Sequence, residues 1–143
     1  MPASYCHLAL HIVFSTRNRV AWLKDPYEEQ LHKYMVGIIH NLKGVCFRIG
    51  GFEDHIHILC LIPKDISLVE FMTKLKSSSS KWFREFTKMD FHWQDGYGAF
   101  SVSKSMIPVV KDYIMNQRVH HTKHSFEDEF DNLLKSHQLD KSI

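Results

Sequence analysis

No pair of cysteines in this 143-residue chain is spaced to hold zinc or to exchange a disulfide. The three present, Cys6, Cys46 and Cys60, are odd in number, far apart and set among apolar neighbours, which predicts buried thiols in a reducing compartment. No apolar run approaches the ~20 residues of a membrane span, and the N-terminus lacks the charged region and apolar stretch of a secretory signal. The expected location is therefore the cytoplasm, with no membrane partner. Neither a Walker loop nor a dinucleotide fingerprint occurs, so no nucleotide cofactor is expected. Charge of one sign is scarce as well: 18 Lys and Arg against 16 Asp and Glu give a formal net charge of +2. Any surface for nucleic acid must come from local clustering of that charge.

What the chain does have is histidine, eleven in all, on an otherwise average background of 44% hydrophobic and 24% charged residues. No internal repeat or linker interrupts it, which predicts one domain over residues 1–143, a core at 5–102 and a helix and tail at 103–143. Tyr5 to Phe14 reads as a strand, followed by a basic loop. Asp25 as cap and Pro26 at the first helical position open a helix that Lys43-Gly44 ends. Val45 to Phe52 and His55 to Ile62 read as two strands joined at Glu53-Asp54. A helix capped by Ser67 or Asp65 runs from Leu68 to about Lys88, with Leu68, Phe71, Met72, Leu75, Ser79, Trp82, Phe83 and Phe86 on one side. Tyr97 to Val102 is a fourth strand, and a helix capped by Ser103 or Ser105 runs to about His121. A further short helix is expected between Phe126 and Leu139. The order β-α-β-β-α-β-α predicts an α+β fold with a ferredoxin-like βαββαβ core, an antiparallel sheet and an added C-terminal helix. Helices would cover one sheet face and leave the other for a ligand or for the added helix.

Alternate side chains of a strand share a face, so His55 and His57 point one way while Ile56 and Ile58 point into the core. Two imidazoles side by side on a rigid floor suit capture of one divalent metal, with Asp54 or Glu53 near enough to orient a ring or add an oxygen. The competing reading is a pair of satisfied strand histidines. On the last helix Tyr113 and Gln117 stand four residues apart and share a face that would rest on the sheet. A phenol with a pKa near ~10 is a poor nucleophile at neutral pH unless a base or a metal assists. A metal on His55 and His57, completed by the Gln117 amide oxygen, would keep open positions for phosphate oxygens, and Tyr113 could then form a phosphotyrosine that stores the bond for rejoining. By itself, a tyrosine at helical spacing among apolar residues also reads as core.

Three stretches in order resemble the single-tyrosine HUH transposases of small insertion sequences and the related REP-associated tyrosine transposases. They are His55-Ile56-His57, Trp93-Gln94-Asp95-Gly96-Tyr97-Gly98-Ala99-Phe100-Ser101-Val102-Ser103, and Tyr113-Ile114-Met115-Asn116-Gln117 with His120-His121. The likeness extends from His11 to Glu129. It implies metal-dependent (Mg2+ or Mn2+) cleavage and rejoining of single-stranded DNA at hairpin-flanked ends through a 5'-phosphotyrosine. Under it His55, His57 and Gln117 are the metal ligands, Tyr113 is the nucleophile, and the protein is a homodimer whose tyrosine helix can serve the partner.

Phosphate contacts call for Lys and Arg, and unstacked bases for aromatic rings. Arg17, Arg19, Lys74, Lys81, Arg84 and Lys88 are the backbone candidates, and Trp93 or Trp22 the stacking ones; a solvated helix face and core tryptophans are the alternatives. The rival function is a non-catalytic module that binds single-stranded nucleic acid on a ferredoxin-like sheet. Such modules carry aromatic residues on the central strands, where this chain offers His55 and His57.

Overall fold

Four strands, β1 (Ala9–Ser15), β2 (Val45–Phe52), β3 (His55–Leu61) and β4 (Gly98–Ser101), form one antiparallel sheet in the order β2-β3-β1-β4. The computed structural model describes residues 3–121 and 124–139, so both ends of the expected 1–143 domain lie outside the described residues. β1 and β3 are central, paired from Ala9↔Leu61 to Ser15↔His55. Each central strand therefore has hydrogen-bonded neighbours on both edges, which makes it a stiff platform for whatever its side chains carry. The architecture is the expected α+β one.

One sheet face is apolar. Ile12, Phe14, Ile56, Ile58 and Cys60 are completely buried, in one cluster with Leu31, Met35 and Ile39 of α1 (Tyr27–Asn41) and Phe71, Met72, Leu75 and Phe83 of α2 (Leu68–Thr87). Burial of each large side chain contributes roughly 1.5–3 kcal/mol. Ser67 starts α2 by accepting a hydrogen bond from the Glu70 amide at 3.0 Å. α1 begins differently from expectation. Pro26 holds the cap position with no side-chain cap bond, and the Lys24 carbonyl receives the Tyr27 and Glu28 amides at 2.9 and 3.1 Å, so Asp25 caps nothing. Phe86 is also not core: it is exposed and stacks on Trp82. Of the cysteines only Cys60 is buried; Cys6 is exposed ahead of β1, and Cys46 is half-buried on the edge strand β2.

The second face is covered too, by α3 (Ile107–Met115), α4 (Gln117–His120) and α5 (Phe126–Ser136). The single helix expected after β4 is interrupted. A 3-10 turn over Lys104–Met106 leads in, Met106 rather than a serine is the cap residue, and Asn116 (φ −96°, ψ 16°) separates α3 from α4. α3 lies directly on β2 because Gly50 has no side chain: a Cβ there would stand 3.0 Å from both the Ile114 carbonyl oxygen and its Cγ2. Ser125 caps α5, accepting from the Asp128 amide at 3.1 Å. Phe126, with Phe130, Leu133 and Leu134 of α5, then packs on Val13 and Phe100 of the sheet. Gly98 makes room, since a Cβ there would meet the Phe130 ring at 2.7 Å.

Candidate metal and tyrosine site

The second face of β1 and β3 carries His11, His55 and His57, all buried. Three helices bring polar groups onto them: Tyr113 from α3, Gln117 from α4 and Glu129 from α5. The Glu129 carboxylate is the meeting point. Its Oε1 lies 2.8 Å from His57 Nε2, 3.1 Å from His121 Nε2 and 3.4 Å from His55 Nε2. Its Oε2 accepts from the Gln117 amide at 2.9 Å and from the Tyr113 hydroxyl. The Gln117 amide oxygen in turn lies 3.0 Å from His55 Nε2. All four residues named from the sequence, His55, His57, Gln117 and Tyr113, are thus brought together, and the break at Asn116 does not separate Tyr113 from Gln117.

Each strand imidazole is held from behind. Asp54 Oδ1 lies 2.8 Å from His55 Nδ1, and His11 Nε2 lies 2.7 Å from His57 Nδ1. In both rings the Nε2 edge is left facing Glu129. The electrostatics separate the two histidines. Burial opposes charging His55, but hydrogen bonds to Asp54, Glu129 and Gln117 outweigh it and raise its pKa to about 9. Burial dominates at His57 and lowers its pKa to about 4 despite Glu129, so it is neutral at pH 7. Burial and the neighbouring His57 lower His11 to about 3. Burial would raise the Glu129 pKa, yet hydrogen bonds from His55 and His57 hold it far below the carboxylate range. Burial and the Glu129 carboxylate push the Tyr113 phenol above its ordinary value, so the hydroxyl is kept protonated as a donor.

The donor set fits a divalent cation. One ligand atom each from His55, His57, His121 and Glu129 falls within 4.8 Å of the others. Two come from adjacent same-face positions of a central strand, so their separation is fixed by the backbone. Three imidazole nitrogens and one carboxylate oxygen are ligand types that divalent metals share. Neither Glu129 nor His121 was assigned a role from the sequence, although both fall within the stretch that carries the resemblance. The signal for Glu129 was there: it sits three residues after Phe126 and next to Phe130, an acid on the apolar stripe of an amphipathic helix, where a buried charge must find partners. His121 was marked only as half of the His120-His121 pair, and no spacing rule tells which of the two faces the site. His120 stands at the edge, its Nε2 3.5 Å from Glu129 Oε2.

The DNA-contact candidates divide. Arg19 is exposed beside the site and lines a cleft of about 380 Å³ with Phe52, Asp54, His121 and Phe126. It also pairs with Glu127 at 3.1 Å. Arg17 is exposed in the same 3-10 turn. Lys74, Lys81 and Arg84 belong to α2, the layer on the opposite side of the sheet, and the structure does not bring them to the site. Lys74 pairs with Glu70, and Arg84 donates to the Phe91 carbonyl at 3.0 Å. Trp93 cannot offer a ring to a base: it is buried against Phe14 and Phe91 and donates its indole N–H to Ser79 Oγ at 2.9 Å.

Among the described residues no helix is long and apolar enough to cross a membrane. No curated protein matches the chain by sequence. In fold it is similar to a candidate transposase from Deinococcus radiodurans R1, at 19% identity and a TM-score of 0.66 over 82% of this chain and 95% of that one. It is also similar to a REP-associated tyrosine transposase bound to a REP hairpin, at 16% identity and a TM-score of 0.63 over 85% of this chain and 73% of that one. The family model described as "Transposase IS200 like" matches residues 4–117, most of the chain, and this protein therefore belongs to the IS200-like transposases.

Proposed function

We propose that the protein cleaves and rejoins single-stranded DNA at hairpin-flanked ends, using Tyr113 as nucleophile and a divalent metal, Mg2+ or Mn2+, held by His55, His57 and Gln117. The observation that carries this reading is the convergence of both imidazole Nε2 edges, the Gln117 amide and the Tyr113 hydroxyl on one buried point. Glu129 and His121 extend the ligand set. A bound cation would act as a Lewis acid on the scissile phosphate, making phosphorus a better electrophile. Tyr113 Oη attacks that phosphorus, the bond to the 3' oxygen breaks, and the leaving oxygen takes up a proton from solvent or from the carboxyl that received the phenol proton, giving a 5'-phosphotyrosine and a free 3' hydroxyl. The phenol proton has a defined acceptor in the Glu129 carboxylate to which it is already hydrogen-bonded. Because the phosphodiester energy is retained in the tyrosyl link, attack by a 3' hydroxyl rejoins the strand without a nucleotide.

Hairpin recognition is supported by the hairpin bound to the REP-associated relative. Arg19, which lines the cleft, and Arg17, exposed two residues before it in the same 3-10 turn, are suited to hold the flanking phosphates. Lys74, Lys81 and Arg84 would serve only DNA that reaches around to the α2 side. A homodimer is part of the proposal, although here Tyr113 reaches the histidines of its own chain.

The test is incubation of the protein and Mn2+ with single-stranded oligonucleotides carrying the palindromes that flank its gene, followed by denaturing electrophoresis. A covalent protein–DNA adduct is expected with wild type and none with Tyr113→Phe, while hairpin binding persists in the variant. Cleavage surviving in Tyr113→Phe removes the nucleophile assignment; binding without cleavage in wild type favours a non-catalytic module.

A further inference from the structure

His11 lies outside the ligand set yet is one of its closest neighbours. It stands on β1, opposite Leu59 of β3 and diagonal to His57, on the same sheet face. It is buried, and its Nε2 is 2.7 Å from His57 Nδ1, the two rings within 26° of parallel with centroids 5.0 Å apart. The Tyr113 ring meets it edge-on at 6.0 Å, and Phe100 packs at 6.3 Å. A buried imidazole pair at this distance must share one proton, and only two placements exist. With the proton on His11 Nε2, His57 Nδ1 accepts it, and the neutral His57 ring must carry its own proton on Nε2, as donor to Glu129. With the proton on His57 Nδ1, His11 Nε2 accepts, and the His57 Nε2 lone pair is free to face a cation.

We infer that His11 is a positioning residue for the metal site: with a cation bound, its Nε2 accepts the Nδ1–H of His57 and holds that ring in the tautomer whose Nε2 can ligate. This rests on the metal reading given above. His11 does for His57 what Asp54 does for His55, with one difference. A carboxylate can only accept, so His55 is held with Nδ1 protonated; an imidazole can also donate, so the hydrogen bond between His11 and His57 survives when His57 changes tautomer as the ion arrives. The two ligands are thus set up differently, one fixed and one convertible.

The test compares His11→Leu and His11→Gln with wild type by titration calorimetry with Mn2+ alone, without DNA. Leucine fills the space but cannot accept a hydrogen bond; the glutamine amide oxygen reaches about where Nε2 stands and can. Leucine is expected to weaken Mn2+ binding on the order of 10–100-fold, with glutamine restoring most of it. Unchanged binding in His11→Leu, or an equal loss in both variants, overturns the inference. Should the leucine variant fold poorly, nitrogen NMR of wild type with Mg2+ decides: protonated His57 Nδ1 and unprotonated His11 Nε2 are expected, and the reverse overturns it. Wild type that binds no Mn2+ would instead remove the metal reading itself, and this inference with it.

Discussion

The two faces of β1 and β3 differ by a single residue step along the same backbone. Ile12, Phe14, Ile56 and Ile58 look one way into a dry core, and His11, His55 and His57 look the other way into a buried polar cluster. The first face contributes stability through area alone and is indifferent to direction. The second is directional throughout: both nitrogens of His55 and of His57 face hydrogen-bonding partners, and so do both polar atoms of Gln117. Satisfaction of that kind is what keeps a buried polar layer from being a liability. His32 on α1 shows the contrast, since its Nε2 is buried without a hydrogen bond, as is His120 Nε2 at the margin of the cluster.

Truncating neighbouring residues that face opposite ways should separate the two roles most strongly. His57→Ala is expected to lower the rate of DNA cleavage at fixed Mn2+ by at least ~1,000-fold, about 4 kcal/mol of barrier. Ile58→Ala should instead cost about 2–5 kcal/mol of folding stability in urea titrations while leaving Mn2+ affinity in the folded protein unchanged. If Ile58→Ala also removes metal binding, the two faces do not act separately.

A second test uses pH on metal-free protein. His57 and His32 have folded pKa values near 4, and His11 near 3, all below the ordinary 6.5. Between those values the unfolded chain binds more protons, so stability should fall as pH drops from 6.5 towards 4. The slope is about 1.4 kcal/mol per pH unit for each such group. His55 works in the other sense. Its folded pKa of about 9 gives stability that is present below 6.5 and lost as pH rises through 9. Chemical denaturation across pH 4.5–9.5 should therefore show a maximum near 6.5 with the steeper fall on the acid side. His32→Gln should flatten only the acid limb; a flat profile in wild type would mean that the buried histidines are reached by water. The smallest effect is expected from Ser125→Ala, which removes the α5 cap and should cost about 1 kcal/mol, measured as faster amide exchange in Phe126–Ser136 than in α2.

The part of the site that was legible in the sequence is the part governed by local periodicity. Period two aimed His55 and His57 together, and a spacing of four kept Tyr113 near Gln117 even across the kink at Asn116. Contacts between distant segments were not legible. His11 and His57 are 46 residues apart and His57 and Glu129 are 72 apart, and no local pattern encodes either meeting. The serine caps Ser67 and Ser125 behave as local rules predict for such positions, whereas Asp25 and Ser105 do not cap, because the chain around them bonds backbone to backbone instead. The basic stripe of α2 is a different kind of miss. A helical wheel tells which side of α2 faces solvent but not that the solvent lies across the sheet from the histidines.

Gly50 gives the site an adjustable thickness. Since α3 rests on the bare backbone at that position, the height of the tyrosine helix above the sheet is set by an atom that is missing. Alanine there would need the helix to rise by a few tenths of an ångström, and serine somewhat more. Such a series would act as a shim under the tyrosine helix, changing the reach from Tyr113 to the histidines in small steps while every chemically active side chain stays as it is.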